Sequence, residues 1–322
     1  MKTKLLTIGT LQVLLLLSLS VVGSSRAQVV PPHATVAGRT IGEWTAAYNQ
    51  WGFTQPISQN PFLDTDGSRA ANGQSGPVFF VAGGFYTGVQ PPRHYAVPED
   101  KYLLIPIIFA ELDNIDTFPP LTVEQLRDAN AAIINTTTEL HVSIDGVPVP
   151  DLFAHREMSP VFNFDLPSAD NLFTYLYGHP ISGRIDPAVA DGYWLMLGPL
   201  SPGRHVIVFG GSYGAPASYS YERTDVITVV PIPLSQRVGE LVSLLADSGL
   251  APHRQQPLRV SLQAAAASFD SGNFIAGVNQ LRAFQNKVRA QVQRSDPALA
   301  LSLIRAADGI IERAAQPRTN QP

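Results

Sequence analysis

The chain has 322 residues, 45% hydrophobic and 15% charged, a balance that supports buried cores and excludes a disordered chain. It contains no cysteine, so disulfides, thiol nucleophiles, thiolate metal sites and a lipid-bearing cysteine are all ruled out. Residues 28–233 carry 9 Lys/Arg against 20 Asp/Glu, whereas residues 234–322 carry 10 against 6. The acidic body argues against nucleic acid as a main partner.

Lys2 and Lys4 precede a mostly apolar run from Leu5 to Val22, and Ser25-Arg26-Ala27 offers small residues around a cleavage point. These are the parts of a secretory signal peptide over residues 1–27, with a retained anchor helix as the alternative. Export predicts a secreted or periplasmic protein with no membrane span after signal cleavage. Residues 28–39 form a Pro- and Val-rich lead-in. Thr40 and Glu43 then make a capping box, and Ile41, Trp44, Tyr48 and Trp51 follow at helical spacing until Gly52, which should stop the helix. Loop residues lead to strand-like runs at Pro77–Ala82 and Tyr102–Phe109. Both are apolar on successive residues, as in strands buried on both faces, and Pro106 implies an edge position or a bulge.

Thr122 and Gln125 form a second capping box, opening a helix expected to run to about Asn135. Leu140, Val142 and Ile144 alternate with polar residues, Asp145-Gly146 makes a turn, and Val147 and Val149 return, as in a hairpin. Further strands are expected at Val161–Phe164, Leu172–Leu176, Tyr193–Leu197, His205–Phe209 and Tyr219–Val230. Two helices among so many strands, without strand–helix alternation, predict an antiparallel β-sandwich or jelly-roll-like domain over residues 40–230. Pro231-Ile232-Pro233 is the linker. After it the apolar period becomes helical, in four segments. The first holds Leu234, Leu241 and Leu245. The second starts at Pro257, the third shows Phe274, Leu281 and Phe284, and the fourth starts at Asp296-Pro297. The class is therefore mainly β plus α, with a small C-terminal helical bundle over residues 234–315 and a short tail, 316–322.

Within that segment, Leu262, Ala265, Phe269, Ser271-Gly272-Asn273, Gly277 to Leu281 and Ala283-Phe284-Gln285-Asn286-Lys287-Val288 describe a helix, a Gly-Asn turn and a second helix. The stretch from Val238 to Ile311 resembles the FIMAH-type helical domain of secreted bacterial proteins. That resemblance implies an interaction module outside the cytoplasm, not an active site. Gly73-Gln74-Ser75-Gly76-Pro77-Val78-Phe79-Phe80 and Ala190-Asp191-Gly192-Tyr193-Trp194 give the body a likeness to an uncharacterised family of secreted bacterial β-rich proteins. This chain departs from that family in lacking cysteines, and the likeness implies no activity.

Candidate chemistry is sparse. Gly210-Gly211-Ser212-Tyr213-Gly214 fits G-x-S-x-G, with Asp225 and His253 downstream in the order of a hydrolase triad. A nucleophile elbow needs a helix after the serine, and Ala215-Pro216-Ala217 leads instead toward a strand. Asp64 and Asp66 begin a calcium-like loop, but the twelfth position is Ser75, so an EF-hand fails and an Asx-turn competes. The acidic run Glu111–Asp116 is a second place for a cation, or a solvated loop. His94, His141, His155, His179 and His205 lack metal-ligand spacing, though His141 and His205 sit on strands that could meet. Asn135-Thr136-Thr137 matches a glycosylation sequon. Tyr175, Tyr177, Tyr213, Tyr219 and Tyr221 offer rings for stacking on sugars, with Tyr213 and Tyr219 foremost.

The leading expectation is an exported, non-enzymatic binding or cell-surface protein. It would bind an unknown protein or glycan partner and need no cofactor, unless Ca2+. The alternatives are a secreted serine hydrolase using Ser212 and a calcium-stabilised carbohydrate-binding sandwich.

Overall fold

A computed structural model describes residues 27–215 and 218–315. The expected signal peptide, apart from Ala27, and the tail lie outside the described residues. The architecture is mixed α/β, with three sheets and seven α-helices among the described residues. None of these helices is long and apolar enough to cross a membrane.

The strands are β1 (Thr35–Val36), β2 (Arg39–Thr40), β3 (Val78–Phe80), β4 (Gly88–Val89), β5 (Arg93–Pro98), β6 (Tyr102–Leu112) and β7 (Thr137–Ile144). They continue with β8 (Val147–Pro148), β9 (Arg156–Met158), β10 (Phe162–Leu166), β11 (Gly183–Leu197), β12 (Gly203–Tyr213) and β13 (Tyr219–Val230). The helices are α1 (Ile41–Phe53), α2 (Val123–Ile134), α3 (Leu172–Tyr177), α4 (Leu234–Ala246), α5 (Pro252–Asp270), α6 (Phe274–Gln291) and α7 (Pro297–Ala315).

One five-stranded sheet runs β10-β11-β6-β3, with β9 also on β11. A six-stranded sheet runs β4-β13-β12-β7-β8, with β5 also on β13, and β1 and β2 pair alone. Leu103, Ile105, Leu195 and Leu197 of the first sheet share a core with Val142, Ile207, Phe209 and Ile227 of the second. The other face of the first sheet packs on α1, where Leu104, Trp194 and Met196 meet Trp44, Tyr48 and Trp51. β6 and β11 are thus covered on both faces, which is why they are apolar on successive residues.

The antiparallel expectation needs correction: β3 runs parallel to β6, and β4 and β5 run parallel to β13. Between β3 and β6 the chain crosses to the other sheet to lay down β4 and β5, so its return beside β3 keeps the same direction. Polar/apolar alternation reports burial, not the direction of the neighbouring strand.

Local signals set most boundaries. Thr40 Oγ1 accepts from Glu43 N at 3.2 Å and Glu43 Oε2 accepts from Thr40 N at 2.7 Å, which starts α1. Thr122 and Gln125 start α2 the same way. Gly52 does not stop α1, which runs through Phe53. The glycine serves packing, because a Cβ there would lie 2.0 Å from the Phe62 ring. Asp145 and Gly146, at φ +52° and +78°, turn β7 into β8.

Leu172–Leu176, expected as a strand for its aromatic content, is helix α3. Asn171 Oδ1 caps Thr174 N at 2.8 Å, and Gly178 at φ +75° ends the turn. β5 carries no strand pattern in its sequence, Arg-His-Tyr-Ala-Val-Pro, because a charge stands where a core residue is expected. The second C-terminal helix begins at Pro252, not Pro257. Pro257 sits inside it, and Lys287 of α6 donates to its carbonyl at 3.2 Å and to Ser261 Oγ at 2.8 Å.

α4 packs on α5 and α7, and α6 packs on α5 and α7. Their shared cluster includes Leu241, Leu262, Phe269, Leu281, Phe284 and Leu303, and all its members fall within residues 234–314. The buried Glu99, just after β5, accepts from Ile232 N (3.1 Å), Arg237 Nη2 (3.0 Å) and Arg313 Nη1 (2.6 Å). One carboxylate thereby ties the linker, α4 and α7 to the end of β5.

Candidate functional site

The site begins with a slip in β6. Tyr193 of β11 pairs with Ile108 and Trp194 pairs with Pro106, so Ile107 bulges between them. Pro106 has no N–H to give to the ladder, which favours the bulge there. β3 pairs with β6 only over Tyr102–Leu104, so at Pro106 the strand has β11 alone beside it, and the bulge and the edge position expected of Pro106 coincide. The slip reverses the side-chain phase. Ile105, Ile107, Ile108 and Ala110 face the inter-sheet core, while Phe109 packs on the α1 side and Glu111 follows it by alternation.

Phe109 and Glu111 open onto a cavity of about 420 Å³ lined by residues of both cores. Ten aromatic side chains line it. Tyr48 and Phe53 come from α1, Phe62 and Phe85 from the connecting segments, Phe109 from β6, and Phe173 and Tyr177 from α3. Tyr213, Tyr219 and Tyr221 form the opposite wall, with successive ring centroids 5.8 and 5.7 Å apart. Phe62 is fixed by its seat on Gly52 and by the Tyr48 ring at 5.2 Å.

The lining hydroxyls are mostly committed to backbone. Tyr48 Oη accepts from Gly83 N at 2.6 Å, Tyr219 Oη lies 2.8 Å from the Gly84 carbonyl, and Tyr221 Oη donates to the Pro106 carbonyl. Burial pushes the Tyr219 and Tyr221 phenols up, so both stay neutral. The wall therefore presents ring faces more than polar groups.

Glu111 is the exception. Its Oε1 is sealed from solvent without a hydrogen-bond partner. Burial, reinforced by the like charge of Asp113, raises this carboxyl well above the usual range. Asp113 is itself raised, chiefly by burial, although Ile115 N–H donates to it at 2.7 Å. Asp116 lies 2.6 Å from His179 Nε2, and Tyr177 stands in the field of all three acids.

Behind this wall lies a second polar group. Asp225 takes Arg93 Nε at 2.8 Å, Arg93 Nη2 at 2.6 Å and Tyr95 Oη at 2.7 Å, with both charged side chains fully buried. Arg223 is 1% exposed; its Nη1 reaches the Asp64 carbonyl at 3.3 Å, and its Nε and Nη2 have no partner. Burial, and after it repulsion from Arg93, lowers its pKa. Gly84 makes room for Nη2, since a Cβ there would lie 2.8 Å from it.

The other residues singled out from the sequence are dispersed. Ser212 sits within β12 opposite Ser220 and shares a 3.1 Å hydrogen bond with Thr138. The strand continues to Tyr213, and the next element among the described residues is β13. Asp225 is held by Arg93, and His253 is exposed on α5. The Asp64 carboxylate accepts from Asp66 N (3.2 Å), Gly67 N (3.0 Å) and Arg69 N (3.1 Å), and Asp66 accepts from Ser68 N at 2.9 Å. These are Asx-type turns that hold the loop. Among the described residues no group of three or more His, Asp or Glu is placed to hold a metal.

His141 faces Glu222 and His205 faces Asp145, so the two histidines do not meet. Asn135 Oδ1 accepts from Arg156 at 2.7 Å, and Tyr175 is exposed outside the cavity lining. Tyr213 and Tyr219, chosen as ring donors, share the cavity wall. Phe62, Phe109 and Phe173 gave no signal as lining residues because an apolar side chain reads only as core. Glu111 had one usable sign, an acid two residues beyond an unbroken apolar run.

No family model matches this chain, and no curated protein or solved structure matches it.

Proposed function

We propose that this chain is an exported, non-enzymatic binding protein that takes a small, largely apolar molecule into the aromatic cavity beside β6. In this reading the two large sheets are a β-sandwich that frames the cavity. The four C-terminal helices are a FIMAH-like bundle that mediates contacts outside the cytoplasm.

The observation that carries the reading is the cavity itself. A space of about 420 Å³ walled by ten aromatic side chains lies in the size range of small-molecule sites. The tethered tyrosine hydroxyls hold those rings in place. A hydrolase reading has less support, because Ser212 has a hydroxyl neighbour where a base is needed. The three-ring wall of Tyr213, Tyr219 and Tyr221 favours a sugar as the second reading.

Titration with the uncharged dye N-phenyl-1-naphthylamine tests the cavity. Saturable one-to-one fluorescence enhancement is expected, weakened at least about tenfold in a Tyr213→Ala, Tyr219→Ala variant, which loses two aromatic contacts. Unsaturable enhancement, equal in both proteins, overturns the reading. Glycan-array binding lost in the same variant transfers the site to a sugar, and a fluorophosphonate adduct on Ser212 replaces binding with hydrolysis.

A further inference from the structure

Resting on the reading of the cavity as a ligand site, we propose that its ligand is a small organic cation, an ammonium group carrying an apolar or aromatic body, with Glu111 as its counter-charge.

Buried polar atoms in folded proteins nearly always have partners. Glu111 lines the cavity, and its Oε1 is shielded from solvent and has none. Among the described residues lining that cavity there is no Lys, Arg or His, and Glu111 is the single carboxyl. The charge it feels is Asp113, of its own sign, and Asp116 follows in the same loop. In the empty cavity burial favours the protonated carboxyl, and a positive group is the partner that would let it ionise.

The walls fit the same ligand. Ring faces such as those of Tyr48, Phe62, Phe109 and Tyr219 carry negative quadrupole charge and attract alkylammonium groups while burying an apolar body. A metal ion is a poor occupant, because calcium takes six to eight oxygens and the wall supplies chiefly ring carbons. The buried Arg223, packed against Gly84 of the lining, lies within the opposing field of Asp225.

The test compares phenyltrimethylammonium with tert-butylbenzene, its uncharged isostere, by titration calorimetry and saturation-transfer NMR on the full mature chain. The cation is expected to bind about 10- to 100-fold tighter, the scale of one charge-assisted contact. In Glu111→Gln the two should bind alike, with affinity for tert-butylbenzene retained as proof that the cavity is intact. Equal or tighter binding of tert-butylbenzene by the unaltered protein overturns the cationic ligand and leaves the cavity reading standing. Failure of both probes to bind overturns both. The comparison within the unaltered protein decides the question even if the variant does not fold.

Discussion

Asp225→Asn is the sharpest probe of how the body is held together. Asp225 stands directly opposite Arg93 in the parallel β5–β13 register, and both side chains are fully buried. The substitution keeps the shape but removes the charge that Arg93 Nε and Nη2 meet at 2.8 and 2.6 Å. It also withdraws the opposing field from Arg223, which is 1% exposed. Leaving a buried charge without its partner costs about 3–5 kcal/mol, against roughly 5–15 kcal/mol for a whole domain. For a body of this size that is a fall of about 6–20 °C in Tm.

The three tryptophans, Trp44, Trp51 and Trp194, all lie ahead of the linker, so tryptophan fluorescence in urea reports the body without the C-terminal helices. Adding Arg93→Met to Asp225→Asn removes one charge of each sign and should recover part of the loss. A single variant within about 1 kcal/mol of the parent, the range of an exposed pair, would refute the assignment of this pair as a buried electrostatic tie. So would a double variant weaker than the single.

Gly52→Ala should destabilise the body by about 1–3 kcal/mol through overpacking against Phe62. It should also weaken dye binding as that ring is displaced; unchanged stability and binding would contradict the packing. For Glu99, burial raises the carboxyl, but Arg237, Ile232 N–H and Arg313 outweigh it and hold the pKa below the ordinary value of 4.5. The stabilisation is therefore present above pH 4.5 and lost as pH falls through the depressed value. Glu99→Gln, which loses the charge facing two partly exposed arginines, should cost about 1–3 kcal/mol and speed protease cleavage near residues 231–233. An unchanged cleavage rate at pH 7 would show that the contact does not hold the helices. For Glu111 the sign is reversed. Its raised pKa stabilises the fold below pH 4.5, and that contribution disappears as pH rises through the raised value. Asp113, Tyr48, Tyr177, Tyr213, Tyr219 and Tyr221 are the other titratable groups around it among the described residues, and Glu111→Gln leaves them in place. The variant should gain Tm relative to the parent at pH 8 and match it near pH 4; a gain independent of pH would count against a buried carboxyl.

Local chemistry made much of the chain legible in advance. Thr40 with Glu43, Thr122 with Gln125, and Asp145-Gly146 each act within four residues, so both helix starts and the hairpin turn can be read without a fold. Apolar period separates the strands before Pro231 from the helices after Pro233 for the same reason. Leu172–Leu176 misled because aromatic content suggests a strand, while the deciding cap, Asn171 to Thr174, depends on one side-chain rotamer. Gly52 misled because its purpose lies in the ring of Phe62, ten residues away.

What the sequence by itself determined are the short-range choices: where helices begin, where turns fall, which runs are buried and where the helical segment takes over. Tertiary structure alone decided strand direction, the bulge at Ile107 that turns Glu111 toward the cavity, and the pairing of Arg93 with Asp225 across 132 positions. The physical reason is range. Hydrogen bonds within a turn are encoded by neighbours, whereas a cavity or a buried charge exists only when segments far apart in the chain enclose the same space.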